Sequence, residues 1–421
     1  MSKRKVRGQP VVGLVRFAAR RRAALPTWAN RILDGVRGRL PERWVAALTG
    51  RSIPRSQWDP PEAHVRPAAP SAAVRLLIGP ANHAGQGDAW ARAVEREIPD
   101  VGAVSFALVR PGGFGFQQDY GVSPLVYRVN RRWQRDQFDY LTAGFTHVIT
   151  EVGRPICGWL HDGDPFREAA VLRKAGLRVA MLSHGSDSRL PRRHAEREEW
   201  SPFRDDDWTD IPRLQQQAEQ FVERLGEFPG PVFVSTPDLL DDLPFATWCP
   251  VVVDVSMWGS DAPLVEHDRP VVVHAPSHDR IKGTDLVDAA MAPLVARGLI
   301  EYRRIGRVPY REMPAVYRDA DVVLDQFRIG SYGVAACEAM AAGRAVIGNV
   351  SATVRERVSQ QTGLELPVVQ ATPATLADVV ERVVEDRAEA AAAGSAGRAF
   401  VESAHTGRAS AAALRTFLGS E

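Results

Sequence analysis

Glu338 stands alone as a carboxylate in the small-residue stretch VAACEAMAAG, and the turn before it, Gly330-Ser331-Tyr332-Gly333, is poor in side chains. A glycine turn running into a helix leaves backbone N–H groups unbonded at the positive end of the helix dipole, an arrangement suited to phosphate. Glycine also lets an anion approach the backbone closely. Glu338, five residues beyond Gly333, would reach a ligand lying over the helix start. A carboxylate accepts well from two hydroxyls of a diol, as a ribose or another sugar would supply. The alternative for Glu338 is a salt bridge or a loop cap. Gly-x-x-Gly before a helix is common, so the turn alone specifies little.

Three further clusters lie just beyond apolar runs. After RPVVVHAPS, Lys282-Gly283-Thr284-Asp285 opens a helix, placing a compact cation where it could pair with phosphate oxygens, and Arg280 is a second candidate. Most lysines are merely solvated, so Lys282 gains meaning only by sharing a sheet edge with the glycine turn. His184-Gly185-Ser186-Asp187 follows LRVAMLS; His184 could donate to a sugar hydroxyl or a leaving oxygen, although a lone histidine is more often structural. The polar segment after it, RHAEREEWSPFRDDDWTDIP, reads as a mobile loop able to contact an acceptor. Gly85, Gln86 and Gly87 follow the first apolar run and would approach an acceptor too. Three Asp-x-Asp pairs, Asp162/Asp164, Asp205/Asp207 and Asp319/Asp321, invite a metal reading. A helix cap, a charged loop and a strand start account for them instead, and no metal is expected.

These clusters need strands and helices to bring them together. From Val74 the sequence alternates continuous apolar runs (VRLLIG, VGAVSFALV, FTHVIT, LRVAMLS, GPVFVST) with amphipathic stretches, the pattern of parallel strands buried on both faces. In GDPFREAAVLRKAG, Asp164 reads as an N-cap, Pro165 as the first helical residue and Gly176 as the stop. A second alternating unit begins at residue 269, and PATLADVVERVVEDRAEAAAAG and AGRAFVESAH…LRTFL read as two terminal helices. The fold class expected is α/β, two Rossmann-like doubly wound domains facing a central crevice. The boundaries read as 1–72 for a basic helical N-terminal extension and Pro-rich linker, 73–255 for the first domain and 256–421 for the second. Residues 251–270 would be the hinge. Ligands in such folds bind at the carboxyl ends of the strands.

Length and composition agree with two globular domains: 421 residues, 45% hydrophobic and 25% charged. Net charge is only +2, which gives no reason to expect nucleic acid. Residues 1–60, however, carry 14 Lys and Arg against Asp34, Glu42 and Asp59. Trp28, Ile32 and Val36 recur at helical spacing there. This arm reads as a solvated basic extension, with docking at a membrane surface, nucleic-acid contact or a targeting role as alternatives. Cys157, Cys249 and Cys337 are far apart and form neither a disulfide framework nor a zinc motif. No run of 18 apolar residues is present, so a cytoplasmic protein, peripheral at the inner membrane face at most, is expected.

Taken together, KGTD, YRDADVVLDQ, GSYGVAACEAMAAGRAVIG and SHGSD resemble retaining glycosyltransferases of the GT-B fold, specifically glycosyltransferase family 4. The resemblance runs from about Val74 to the C-terminus and is strongest over 270–350. It implies a nucleotide-diphosphate sugar as co-substrate, held by the second domain, with no other cofactor and no obligatory metal. On this resemblance His184, Lys282 and Glu338 match catalytic positions: Glu338 the glutamate holding the ribose, Lys282 the diphosphate lysine, His184 a histidine near the donor sugar. Ser277, Arg280, Val308, Asp325, Gly330, Ser331, Tyr332, Gly333 and Val334 would line the donor site, the 330–333 turn through its N–H groups. Gly85, Gln86, Gly87 and Asp187 would lie on the acceptor side. Two departures stand out. The family's first glutamate falls on Gly330, where Asp325 or Ser331 would have to substitute, and its arginine falls on Ser277, where Arg280 would. The acceptor suggested by the basic arm is anionic or lipid-linked. Two rivals remain, a GT-B nucleotide-sugar epimerase and a catalytically inactive nucleotide-sugar-binding partner.

Overall fold

The computed structural model describes residues 55–419 apart from 263, 265 and 266. The basic arm at 1–50 lies outside the described residues. Strands β1 (Val74–Gly79), β2 (Val101–Leu108), β3 (Tyr120–Val122), β4 (His147–Glu151), β5 (Arg178–Ser183), β6 (Val232–Val234) and β7 (Thr247–Trp248) form one sheet. Its order is β3-β2-β1-β4-β5-β6-β7, and every pairing is parallel. The apolar runs form its strands because both faces are covered: Leu77, Val148 and Val179 pack into one core, and Leu76, Ile149 and Ala180 into the other. Gly79 pairs with Thr150 and Glu151 with Leu182, so the loops after β1, β4 and β5 leave along one edge.

The second sheet contains β8 (Val271–His274), β9 (Glu301–Arg304), β10 (Val322–Leu324), β11 (Ala345–Gly348) and β12 (Val369–Gln370), ordered β12-β11-β10-β8-β9 and again parallel. His274 pairs with Leu324. The loop carrying Lys282 and the loop carrying Asp325 therefore depart side by side. The expected class holds: two doubly wound parallel sheets, with their chemistry-bearing loops at the carboxyl edges.

Several local expectations give way to packing. The Pro-rich stretch is a docked strap: Ala63 is buried, Asn130 donates to Asp59 at 2.8 Å, Arg66 donates to Gln137 at 2.8 Å, and the Tyr140 hydroxyl donates to the Pro67 carbonyl at 2.9 Å. The terminal helices break at Asp386 rather than at the alanine run, giving Leu376–Glu385 and Arg387–Ala404. Asp386 forces that break by accepting from Ala388 and Glu389 N–H, an N-cap that starts a new helix. The last helix, Arg408–Leu418, crosses back to the first sheet, where Leu414, Phe417 and Leu418 pack among Leu76, Trp90 and Ile149. Among the described residues no helix is long and apolar enough to cross a membrane.

Candidate functional site

On the C-terminal side the site is assembled around the β8 and β10 exits. His274 accounts for this local order: its Nδ1 bonds the Leu324 carbonyl at 2.9 Å and its Nε2 pairs with Thr284 Oγ1 at 3.0 Å. Burial depresses its basicity, so it is a neutral linchpin rather than a ligand group. Lys282 ends the short helix Asp279–Lys282, and Gly283, at φ +78°, turns the chain directly into Thr284–Ala296. The Lys282 ammonium lies 2.5 Å from Asp325 Oδ1, with the two side chains 12% and 2% exposed.

Beside this pair, helix Val334–Ala341 starts without a side-chain cap. A β-carbon at Gly333 would meet nothing within 4 Å, so there is open space beside the uncapped helix start. Room, free donors and a neighbouring ammonium coincide there, which suits a phosphate. Glu338 lies one turn further along. Burial pushes its carboxyl well above the usual carboxylate range, Lys282 opposes that shift and Asp325 adds to it. Among the described residues no hydrogen bond reaches the Glu338 carboxylate, so neither the salt bridge nor the loop cap accounts for it. Tyr332 contributes only backbone, since its side chain is buried with its hydroxyl 3.2 Å from His405 Nε2. The Ser331 hydroxyl is buried without a hydrogen-bond partner of good geometry. Ser277 is exposed in the bend after β8, Val308 is half-buried in the loop after β9, and Val334 is half-buried at the helix start.

On the N-terminal side His184 follows β5. Its Nε2 is 3.0 Å from Glu151 Oε1, while Glu151 Oε2 accepts the Ala81 and Asn82 N–H groups at 3.0 and 2.9 Å. Burial pushes the fully buried Glu151 carboxyl up, but His184 outweighs it and holds the group below its usual value. An ionised acceptor there requires Nε2 to carry the hydrogen, which leaves Nδ1 as the imidazole nitrogen for other partners. Asp187 shapes the turn by accepting from Ser183 Oγ and from the N–H groups of His184 and Gly185. Gly87 wraps Glu151: a β-carbon there would lie 3.2 Å from Oε2. Gly85, at φ +75°, sits against Phe116, whose ring is 5.0 Å from that of Tyr310. The Tyr310 N–H in turn donates to the Phe114 carbonyl at 2.8 Å, closing the crevice at this end.

Two expected site residues are engaged elsewhere. Gln86 is buried and clamps Val252, donating to its carbonyl at 3.0 Å and accepting its N–H at 2.7 Å, so its side chain does not face an acceptor. Arg280, the expected stand-in for an arginine at 277, reaches across the seam to Asp205 at 2.8 Å and Asp207 at 2.7 Å, where its guanidinium is already bonded. Arg328 joins the same clasp, bonding Asp205 and the Trp200 and Ser201 carbonyls. The segment read as a mobile loop is therefore fastened to the second domain. It walls an 860 Å³ cleft lined by Trp200, Arg204, Arg280, Arg304 and Arg328, among others, but by none of His184, Lys282 or Glu338. The three aspartate pairs bond bases and backbone: Asp164 caps the helix Pro165–Lys174 and meets Arg224, Asp205 holds Arg280 and Arg328, and Asp321 accepts the Val271 N–H at 2.7 Å.

Residues 256–416 match the family model described as glycosyl transferase-like. Among solved structures the chain is similar to Anabaena HepE in complex with UDP-glucose, at 11% identity and a TM-score of 0.54, covering 82% of this chain and 99% of that one. It is also similar to sucrose-phosphate synthase from Thermosynechococcus elongatus, at 15% identity and a TM-score of 0.53, covering 81% and 97%. The fold is GT-B. No curated protein matches the sequence. Lys282, Gly333 and Glu338 lie at the carboxyl edge of the second sheet, and His184 lies at the carboxyl edge of the first.

Glu151 escaped sequence reasoning although it carried a signal, a carboxylate closing the apolar run HVITE at a strand's carboxyl end. Tyr310 carried none.

Proposed function

We propose that this chain transfers a sugar from a nucleotide-diphosphate sugar to an acceptor hydroxyl, with retained anomeric configuration and no obligatory metal. The observation that carries this reading is the meeting of the Lys282 ammonium, the open helix terminus at Gly333 and the free Glu338 carboxylate at one sheet edge. The glycosyl transferase-like match over 256–416 and the GT-B fold support it.

Lys282 and the N–H groups of Gly333 and Val334 would hold the diphosphate, and Glu338 would accept from the ribose hydroxyls. As the bond from the anomeric carbon to phosphate breaks, negative charge grows on the diphosphate, where the ammonium and helix terminus stabilise it. The acceptor hydroxyl attacks from the same face, its oxygen bonds to the anomeric carbon, and its proton passes to the leaving phosphate oxygen. His184, positioned by Glu151, would contact the donor sugar. Retention and metal independence rest on the resemblance of the site motifs, and the basic arm would suit an anionic or lipid-linked acceptor.

The test is calorimetry and thermal shift with UDP-, GDP-, ADP- and dTDP-sugars on wild type, Lys282→Ala and Glu338→Ala. Stabilisation by one nucleotide, lost in both variants, supports the donor site. Sugar transfer in the presence of EDTA, with the product anomer read by NMR, tests the rest. Binding without sugar release or transfer would favour the inactive-partner reading.

A further inference from the structure

Position 330 holds glycine, and the structure shows what stands there instead. Gly330 has φ +70°, and a β-carbon on it would lie 2.5 Å from both Cδ and Oε1 of Glu198 and 2.6 Å from Oε2. A side chain at 330 would have to displace that carboxylate. Glu198 comes from the other domain, directly after helix Pro191–Arg197. Its backbone is fixed by its N–H to the His194 carbonyl at 2.9 Å, and His194 Nε2 is 3.2 Å from the carbonyl of Ile329, the residue before Gly330. Glu198 is thus held against this turn from both sides of the seam.

Among the described residues no hydrogen bond reaches the Glu198 carboxylate. Arg197, Arg189, Asp238 and Asp241 surround it, but Arg189 is paired with Asp238, and Arg197 with Asp241 at 3.2 Å. Burial pushes the Glu198 carboxyl up, a cost that a hydrogen-bonding ligand would relieve. The order along the turn and helix is then Glu338, the open terminus at Gly333, and Gly330 with Glu198. A diphosphate on the terminus with its ribose at Glu338 directs the group on its other phosphate toward Glu198.

We propose that Glu198 is a donor-sugar residue, supplying from the N-terminal domain a carboxylate that accepts from hydroxyls of the transferred sugar beside Gly330. This rests on the donor reading of the site. It recasts Gly330 as the complement of Glu198, not as a lost contact, and makes the sugar contact conditional on the two domains being closed.

Calorimetry on the full chain with UDP, GDP, ADP and dTDP, each beside UDP-glucose, GDP-mannose, ADP-glucose or dTDP-glucose, tests it. Wild type should bind one sugar nucleotide more tightly than its bare diphosphate. Glu198→Gln, nearly isosteric, should weaken that sugar nucleotide about tenfold, the scale of one hydrogen bond to a charged group, and leave the bare diphosphate within about twofold. Glu198→Ala should behave alike, and adding Gly330→Glu, which returns a carboxylate from the turn into the vacated space, should recover part of the loss. Equal weakening of diphosphate and sugar nucleotide, or no weakening of either, overturns the assignment while leaving the donor site standing. Failure of every bare diphosphate to bind wild type would instead sink the donor reading, and this inference with it.

Discussion

On the C-terminal side of the crevice the groups that would hold a donor are largely backbone: an uncapped helix terminus, a glycine facing open space, and one ammonium beside it. On the N-terminal side they are side chains: His184, held by Glu151, and Glu198, whose backbone is fixed beside the His194 contact. Backbone donors are fixed by the helix they belong to and need no second layer. Side chains need one, so the N-terminal face can be tuned or broken by residues that never touch a ligand.

The largest effect that would test this contrast is at Lys282. Lys282→Ala removes the ammonium and strands Asp325, 2% exposed, without its partner. Donor affinity should fall about 100-fold, and stability by about 3 kcal/mol, as for other broken buried pairs. Lys282→Met with Asp325→Asn should restore most of the stability and none of the binding, as read by urea unfolding and calorimetry on the same samples. Restored binding in the double variant would mean that the helix terminus suffices alone.

The same contrast explains what the sequence made legible. Gly330, Gly333 and Glu338 lie within nine consecutive residues after an apolar strand, so local pattern carries the C-terminal face almost whole. Glu151 and His184 sit on segments whose meeting depends on β1, β4 and β5 being neighbours, and Glu198 reaches the turn only because the domains touch at Gly330. Periodicity identifies strands but does not say which loops meet. The partners of Arg280 are hidden from the sequence for the same reason: Asp205 and Asp207, which bond it, lie over 70 residues away. Nor does a polar residue between glycines reveal that Gln86 pins Val252 from inside.

Next in size is Glu151→Gln. The amide keeps one acceptor for the Ala81 and Asn82 N–H groups but removes the charge that orients His184. Transfer should slow about 10- to 100-fold while bare diphosphate affinity stays within about twofold, since that affinity belongs to the other face. An equal fall in both would erase the distinction between the faces.

The two glycines of the turn offer a sharper comparison at smaller cost. Gly333 has an extended backbone and open space before it, so Gly333→Ala should leave the melting temperature essentially unchanged and weaken the diphosphate about tenfold by intruding on the phosphate. Gly330→Ala should do the reverse. Its left-handed φ and the Glu198 carboxylate 2.5 Å away should cost about 1–2 kcal/mol of stability, with a modest effect on bare diphosphate. Identical phenotypes would show that the turn acts as one unit.

The last test concerns the seam behind Glu198. Burial, helped by Arg189, pushes His194 down to about 4, so it is neutral in the folded protein at pH values where an unfolded histidine is half charged. The folded state then binds fewer protons than the unfolded state between about pH 6.5 and 4. Its contribution is fully present above pH 6.5 and is lost as pH falls through that window, about 2 kcal/mol between pH 7.5 and 5. His83, His147 and His405, also pushed to about 4 chiefly by burial, add slopes of the same sign. His194→Gln should flatten the melting-temperature profile between pH 7.5 and 5 without abolishing it. Because His194 bonds the carbonyl beside Gly330, acidification should also erode sugar-nucleotide affinity before diphosphate affinity, and a variant profile superimposable on wild type would place the acid-sensitive contact elsewhere.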